Sequence, residues 1–493
     1  MNSENVLSQI ERYAEQVRHE YRVPGLAVAI EKDNEIILAR GFGERKLGES
    51  QPVDENTLFG IASISKSFTA LTLGMLVDEG LLNWNDPVTK YLPSFQLYDA
   101  YATREITVLD LLIHRCGLAP VSGGTVWYGS DFSRQEVIER IRYLKPVSSF
   151  RSEYAYQNIT YLAAGEIVQV ITGQSWDEFV TQRILVPLEM YTSNTSIKAF
   201  NAESNVAYPH ALVDGQLCEV PPRNYDNVGP AASINSSVRE LSAYARLLLN
   251  GGKYQDRQIY SPEIARALWT PRTLIPLATD FPQELESIMP QFLNAYALGW
   301  VIQDAYGQKR VSHSGGIDGL RSLLTLIPQQ NLGIIVCVNN EGPATWVLTN
   351  IILDLYHGSA PEQWYDAAQD YWHELQKKKN ASTEGTPSAG TVPSLDLERY
   401  TGSFTSQLVG DIEVNYEKSQ LILLFPHTPS FTAQLSHWHH DTFKAEWQDP
   451  LIPDGLLTFI IDSQGQVSEL RLDQKNLLDV DFSELHPIKR SRP

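Results

Sequence analysis

The stretch Phe59 to Pro93, FGIASISKSFTALTLGMLVDEGLLNWNDPVTKYLP, holds the residues on which the reading of this chain turns. Ile64, Phe68, Leu71 and Met75 recur at helical spacing and Gly80 supplies a stop, so a helix is expected to begin near Ser63. Lys66 lies three residues beyond Ser63, on nearly the same helical face. This spacing suits nucleophilic catalysis, because a hydroxyl is a weak nucleophile until a base accepts its proton, and a desolvated lysine is such a base. The partial positive charge of a helix N-terminus also favours an oxyanion forming beside it. A serine at a helix start is equally a common cap, and Ser-x-x-Lys arises by chance in a chain of 493 residues. The pair therefore needs company elsewhere.

Company is present, and in order. Tyr156-Gln157-Asn158 lies 93 residues beyond Ser63 and precedes a helix-like run, Ile159 to Val170, that stops near Gly173. His313-Ser314-Gly315-Gly316 comes much later and opens a pair of strand-like runs, Leu323 to Ile327 and Gly333 to Val338. A Ser-x-x-Lys, a Tyr-x-Asn and a late Lys-or-His-x-Gly in this order resemble the three-part site of the penicillin-binding-protein and serine β-lactamase superfamily. The flanks are similar to its class C β-lactamase, esterase and D-aminopeptidase branch: Phe59 to Pro93 itself, VPGLAVAI at Val23 to Ile30, ITVLDLLIHRCGL at Ile106 to Leu118, and SSVRELSAYARLLLNGG at Ser236 to Gly252.

The resemblance implies roles. Ser63 attacks the substrate carbonyl, and Lys66 with Tyr156 shuttles its proton to the leaving group. Asn158 orients Lys66 and the substrate amide, while His313 and Gly315 line the substrate. The backbone amides of Ser63 and Gly316 form the oxyanion hole, which fits the small residue at 316. No counterpart of the deacylating glutamate of class A β-lactamases is evident, so Tyr156 is the expected base for hydrolysis of the acyl-enzyme. No metal or organic cofactor is called for. One departure matters: most β-lactamases carry Lys where this chain has His313, and a largely neutral imidazole suits a substrate carboxylate less well than an ammonium does. His at this place resembles D-aminopeptidases, some of which carry an added β-barrel of lipocalin-like type. Arg321, where relatives often have an aromatic, reads first as a surface arginine, with the binding of an acidic group as the alternative. Two decoys fail on placement: Tyr225-Asp226-Asn227 sits among prolines with no helix directly behind it, and Lys46-Leu47-Gly48 precedes Ser63.

Organisation along the chain agrees with a hydrolase body and an appendage. Val6, Ile10, Tyr13, Val17 and Tyr21 mark an amphipathic first helix, followed by strand-like runs at Leu26 to Glu31 and Ile36 to Arg40 with Asp33-Asn34 as the turn. With the late strand pair, a helix from Ala344 to Tyr356 and a helix-rich middle, the fold class is α+β: an antiparallel sheet flanked by helices, with a helical subdomain, over residues 1–376. A polar stretch at 377–394 reads as a linker. Residues 395–493 carry short strand-like runs and tight turns, the pattern of a small all-β barrel.

Composition narrows the partners. A net charge of −20 repels phosphate backbones and anionic headgroups, which disfavours nucleic acid or membrane surfaces. The start MNSENVLSQIERYAEQ is not a signal peptide, so a cytoplasmic protein, or a mature secreted one, is expected. Cys116, Cys218 and Cys337 match no metal or redox spacing. His437, His439 and His440 suggest a metal site, since His437 and His439 would share one face of a strand, but no third or fourth ligand joins that pair, and Trp438, Phe443 and Trp447 read as barrel core or interface. The expected partner is a small-molecule or short-peptide substrate, with a homo-oligomer through the C-terminal domain left open. The leading expectation is a hydrolase of amide bonds in small peptides, those with D-residues included. The rivals are a carboxylesterase or transesterase on small acyl esters, a β-lactamase, and a non-catalytic binding or sensor protein on the same scaffold. Intact Ser63, Lys66, Tyr156 and His313 argue against the last.

Overall fold

A computed structural model describes residues 3–201, 203–276, 293–359, 361, 363–380, 386–474 and 479–489. Helix α1 (Ser3–Glu20) leads into a hairpin of β1 (Gly25–Lys32) and β2 (Glu35–Gly43). Its turn, Asp33-Asn34, has both residues at positive φ, 53° and 73°, the conformation whose twist matches a hairpin. The helical layer holds α2 (Ser65–Asp78), α3 (Ile159–Thr172) and α4 (Val238–Leu249). The sheet is completed by β3 (Thr273–Leu274), β4 (Asn294–Tyr296), β5 (Val301–Ala305), β6 (Gln308–Ile317), β7 (Leu320–Ile327) and β8 (Leu332–Val338), and α5 (Ala344–His357) and α6 (Gln363–Asn380) follow. The strand order is β2-β1-β8-β7-β6-β5-β4-β3, antiparallel throughout, so chain start and chain end meet at β1 and β8.

Both faces of this sheet are covered, and the sequence of β1 shows it. Leu26, Val28 and Ile30 join Ile334, Val336 and Val338 beneath α1 and α5, where Ile10, Val17, Val347 and Ile351 close the layer. The alternate residues Ala27, Ala29, Ile335 and Cys337 face the opposite core with Phe68, Leu71, Leu241 and Tyr244. A strand covered twice reads as a continuous apolar run rather than an alternating one, as GLAVAI does. Small residues on the second face let α2 and α4 lie close, and Phe68 stacks on Tyr244 with ring centroids 3.9 Å apart.

Three expectations needed adjustment. His313 to Gly316 do not open the late strand pair; they lie inside β6, whose hairpin with β5 was not foreseen. Its half-polar sequence, VIQDAYGQKRVSHS, dilutes the strand signal, although Tyr306-Gly307 is a two-residue turn with φ of 52° and 71°. Lys377 to Asn380, read as the start of a linker, instead continue α6. Behind Tyr225 a 3₁₀ turn, Asp226–Val228, and a short helix, Gly229–Ala232, do begin directly.

Eight strands, the first starting at Gly402 and the last ending at Lys489, form a closed antiparallel barrel. Its interior follows the period of two: Leu421 and Leu423 are buried while Ile422 between them is half-exposed. Phe443 is core and Trp447 is half-buried, stacked on Phe482 at 5.3 Å. A bulge between His437 and His439 breaks the alternation that would have put both on one face. The barrel is docked on the body by ion pairs and hydrogen bonds. Arg223 bridges Asp318 of the body at 2.6 Å and Asp449 of the barrel at 2.7 Å. Glu484 accepts from Ser122 Oγ and from the Gly123 amide. The tightest approach is backbone on backbone: a Cβ at Gly124 would stand 1.4 Å from the carbonyl oxygen of Asp479, so only glycine admits the barrel segment there.

Candidate active site

Ser63 lies on a 3₁₀ turn, Ala62–Ile64, that runs straight into α2. Ala62 has φ 48°, a left-handed conformation that costs a β-carbon-bearing residue energy and is held here by the surrounding fold. The turn is packed against β6, where a Cβ at Gly315 would fall 2.1 Å from Ile61 O and 2.4 Å from Ser322 Oγ. Position 315 therefore excludes a side chain more strictly than position 316, where the nearest atoms to an added Cβ belong to the Arg321 side chain, at 3.3 Å.

Lys66 is fully buried, and its Nζ has three partners: Ser63 Oγ at 3.0 Å, Asn158 Oδ1 at 2.7 Å and Ala231 O at 3.1 Å. Burial pulls its ammonium down to about 7, against the opposing charge of Asp479. In the neutral form two N–H groups satisfy the two carbonyl oxygens, and the lone pair is left for the proton of Ser63. Asn158, at the start of α3, thus accepts from the amine.

Tyr156 shares the cavity wall with Ser63, whose side chain offsets part of the effect of burial on its phenol, and its ring lies 4.6 Å from Lys66 Nζ. Burial raises its phenol well above the ordinary value, so it stays protonated near neutral pH. His313 is likewise buried, and its pKa falls to about 3 through burial and then the Lys66 charge. Its Nδ1–H donates to Ser314 O at 2.7 Å, which leaves Nε2 to accept the Tyr296 hydroxyl at 2.9 Å. Both ring nitrogens are occupied within the protein.

These groups open on a cavity of about 440 Å³ whose wall includes Ser63, Tyr156, His313, Gly315, Gly316 and Asp479. Arg321 is part of that wall rather than a free surface residue; it is held by the Ile317 and Leu320 carbonyls and by Glu341 at 3.6 Å. Tyr225 is buried beside Trp127, and Lys46 pairs with Glu49 and Glu219, so both decoys lie elsewhere. Reasoning from sequence missed Tyr296, Ala231, His114 and Asp479. Only His114 fell within a quoted motif; Asp479 reaches the site from the barrel across more than four hundred residues, with no local pattern to mark it. Its carboxyl is pushed up by burial and held down by Lys66, and among the described residues no hydrogen bond or ion pair engages it.

Among the described residues no cluster of three or more His, Cys, Asp or Glu could hold a metal ion, and no helix is long and apolar enough to cross a membrane. The three cysteines are free.

A buried lysine on a serine, at the seam of a helical layer and an antiparallel sheet, defines a serine hydrolase of the penicillin-binding class. Comparison with known proteins places the chain within it: the family model described as Beta-lactamase matches residues 10–356, and the chain belongs to that family. A second model, Domain of unknown function (DUF3471), matches residues 386–487. The unguisins hydrolase ungD' of Aspergillus campestris is 26% identical over 84% of this chain and 78% of its own length. Protein flp of Staphylococcus aureus is 27% identical over 67% of this chain and 62% of its own. Among solved structures, an octameric penicillin-binding protein homologue from Pyrococcus abyssi superposes with a TM-score of 0.63 at 22% identity, covering 99% of this chain and 100% of that one. SurE follows at 0.57 and 18%, covering 96% and 99%.

Proposed function

We propose that this hydrolase cleaves amide bonds of short peptides that present a free amino group beside the scissile bond, through an acyl-enzyme on Ser63. Neutral Lys66 takes the Ser63 proton as the hydroxyl attacks the substrate carbonyl. The backbone amides of Ser63 and Gly316 receive the oxyanion, an arrangement of fixed donors whose loss typically costs about 3–4 kcal/mol of barrier. The proton then passes through Tyr156 to the leaving amine. A buried phenol with a raised pKa is a relay rather than a base, so activation of the deacylating water falls to Lys66 with Tyr156 as its conduit. This revises the expectation that Tyr156 itself is the base.

The observation that carries the substrate reading is Asp479. Among the described residues no hydrogen bond or ion pair engages this carboxylate, although the charges of Lys66 and Arg321 act on it; a carboxylate on the wall of a catalytic cavity complements a cation, and the α-ammonium of a peptide is the cation that sits next to a scissile amide. His313, neutral and doubly bonded, offers no counter-charge for a substrate carboxylate. The relatives named unguisins hydrolases support hydrolysis, and the structure of SurE with D-Leu supports D-residues among the substrates.

One plate tests this, with D- and L-alanine p-nitroanilides, their N-acetyl forms, p-nitrophenyl acetate and nitrocefin. The free-amine anilides are expected to give the highest kcat/KM. An ammonium about 4 Å from a carboxylate gains roughly 4 kcal/mol at an effective dielectric near 20, before desolvation reduces it. Asp479→Asn is therefore expected to lower the free-amine to N-acetyl ratio at least about tenfold, a change worth about 1.4 kcal/mol. An unchanged ratio, or nitrocefin or the ester leading the plate, overturns the substrate reading.

A further inference from the structure

His114 follows the short helix Val108–Leu112 in a left-handed conformation, φ 57°, that residues with a β-carbon seldom adopt. The backbone around it is tied down on several sides. Tyr161 donates to Leu112 O at 2.7 Å, Thr273 to Ile113 O at 2.8 Å, and the Ala155 amide to His114 O at 2.8 Å. Buried Asp110 is clamped by Arg115, the residue after His114, and by Arg151, which is distant in sequence. A fold that holds a non-glycine residue in this conformation so firmly is placing its side chain.

The side chain is placed against the site. The ring is almost wholly buried among tyrosines, with centroids 4.4 Å from Tyr156 and 4.3 Å from Tyr296. Its Nδ1 lies 3.0 Å from the amide of Gln157, the residue between Tyr156 and Asn158. A backbone N–H can only donate, so Nδ1 accepts and the ring proton of the neutral imidazole sits on Nε2. Among the described residues Nε2 has no hydrogen-bond partner of its own. Burial, followed by the charges of Lys66 and His313, holds the imidazole pKa well below its ordinary value. The ring is a neutral wedge with its acceptor used, packed against the proposed relay phenol with the two ring planes tilted by 41°.

We propose that His114 is a positioning residue of this hydrolase: its ring face sets the Tyr156 phenol and its Nδ1 sets the Gln157 amide, so that Tyr156 and Asn158 meet Ser63 and Lys66 in register. This rests on Tyr156 acting as the proton relay. A phenylalanine keeps the face and loses the acceptor, whereas an asparagine places an amide oxygen near Nδ1 and loses the face.

The test is a double-mutant cycle on the full chain with D-alanine p-nitroanilide. His114→Phe is expected to lower kcat about 10- to 100-fold with KM within threefold and a pH profile of unchanged midpoint, because Lys66 remains the base. His114→Asn is expected to recover at least threefold of that loss. In a Tyr156→Phe background, His114→Phe is expected to cost less than threefold more, since residues acting through one group are not additive. A fully additive loss, or normal kcat in folded His114→Phe, overturns the positioning role. If His114→Phe fails to fold, His114→Asn takes its place in the same cycle, with the same additive outcome overturning the proposal. Near-normal kcat in Tyr156→Phe alone removes the relay itself, and the positioning role falls with it.

Discussion

Ser63→Ala is expected to lower kcat by about 10⁴-fold or more, with the melting temperature nearly unchanged. Removing the nucleophile of a covalent mechanism deletes the path rather than slowing it, and what remains is the rate support of oxyanion donors and binding. The substitution removes one oxygen that contacts Lys66 and Tyr156. Lys66 keeps Asn158 Oδ1 and Ala231 O as partners, so no new buried charge is left alone. The fold should survive, and the loss should appear in kcat rather than in KM. A folded Ser63→Ala protein that retains even a tenth of the wild-type rate would show that another group makes the covalent bond.

The second large effect concerns Lys66 and pH. Since burial lowers this amine to about 7, its neutral fraction, and with it kcat/KM, is expected to rise as pH climbs from about 6 to about 8 and then to level off. Lys66→Ala is expected to lower kcat by about 10²- to 10⁴-fold, the range of a lost general base, and to abolish that rising limb. The same shift has a stability consequence whose sign is opposite to that of a salt-bridged lysine. The folded protein releases this proton near 7 and the unfolded chain only near 10.5, so between those values the unfolded state binds more protons and stability rises with pH. Lys66→Met is expected to flatten that slope. A kcat/KM profile without a limb near pH 7 in the wild type, or one that persists in Lys66→Ala, would take the base role away from Lys66.

Much of the site was legible in sequence because its members carry local signals. Ser63 and Lys66 are one helical turn apart at the head of an apolar run, and Tyr156 and Asn158 stand at the start of another helix that ends on Gly173. The hydrolase sheet was legible where strands are buried on both faces, as in β1 and β8. It was not legible in β5 and β6, where consecutive polar residues, Gln303-Asp304 and Gln308-Lys309-Arg310, break the alternation. The barrel announced itself through turn spacing, although Gly402–Ser406 and Thr442–Trp447 were not picked out as strands. Tertiary chemistry was the hidden part. Nothing near Asp479 in sequence says that it faces Ser63; that depends on Gly124 admitting its backbone. Nor could the sequence show that Tyr296 would occupy His313 Nε2, a contact that changes what His313 can offer a substrate.

The central claim is that Ser63 forms the covalent bond while neutral Lys66 takes its proton. Peptide mapping by mass spectrometry after treatment with a fluorophosphonate, with the labelling rate followed from pH 6 to pH 9, tests both halves at once. One phosphonyl adduct per chain is expected, on Ser63, formed at a rate that rises through about pH 7 in the wild type and is slow and flat in Lys66→Ala. An adduct on any other residue, or a labelling rate in Lys66→Ala that matches the wild type, would contradict it.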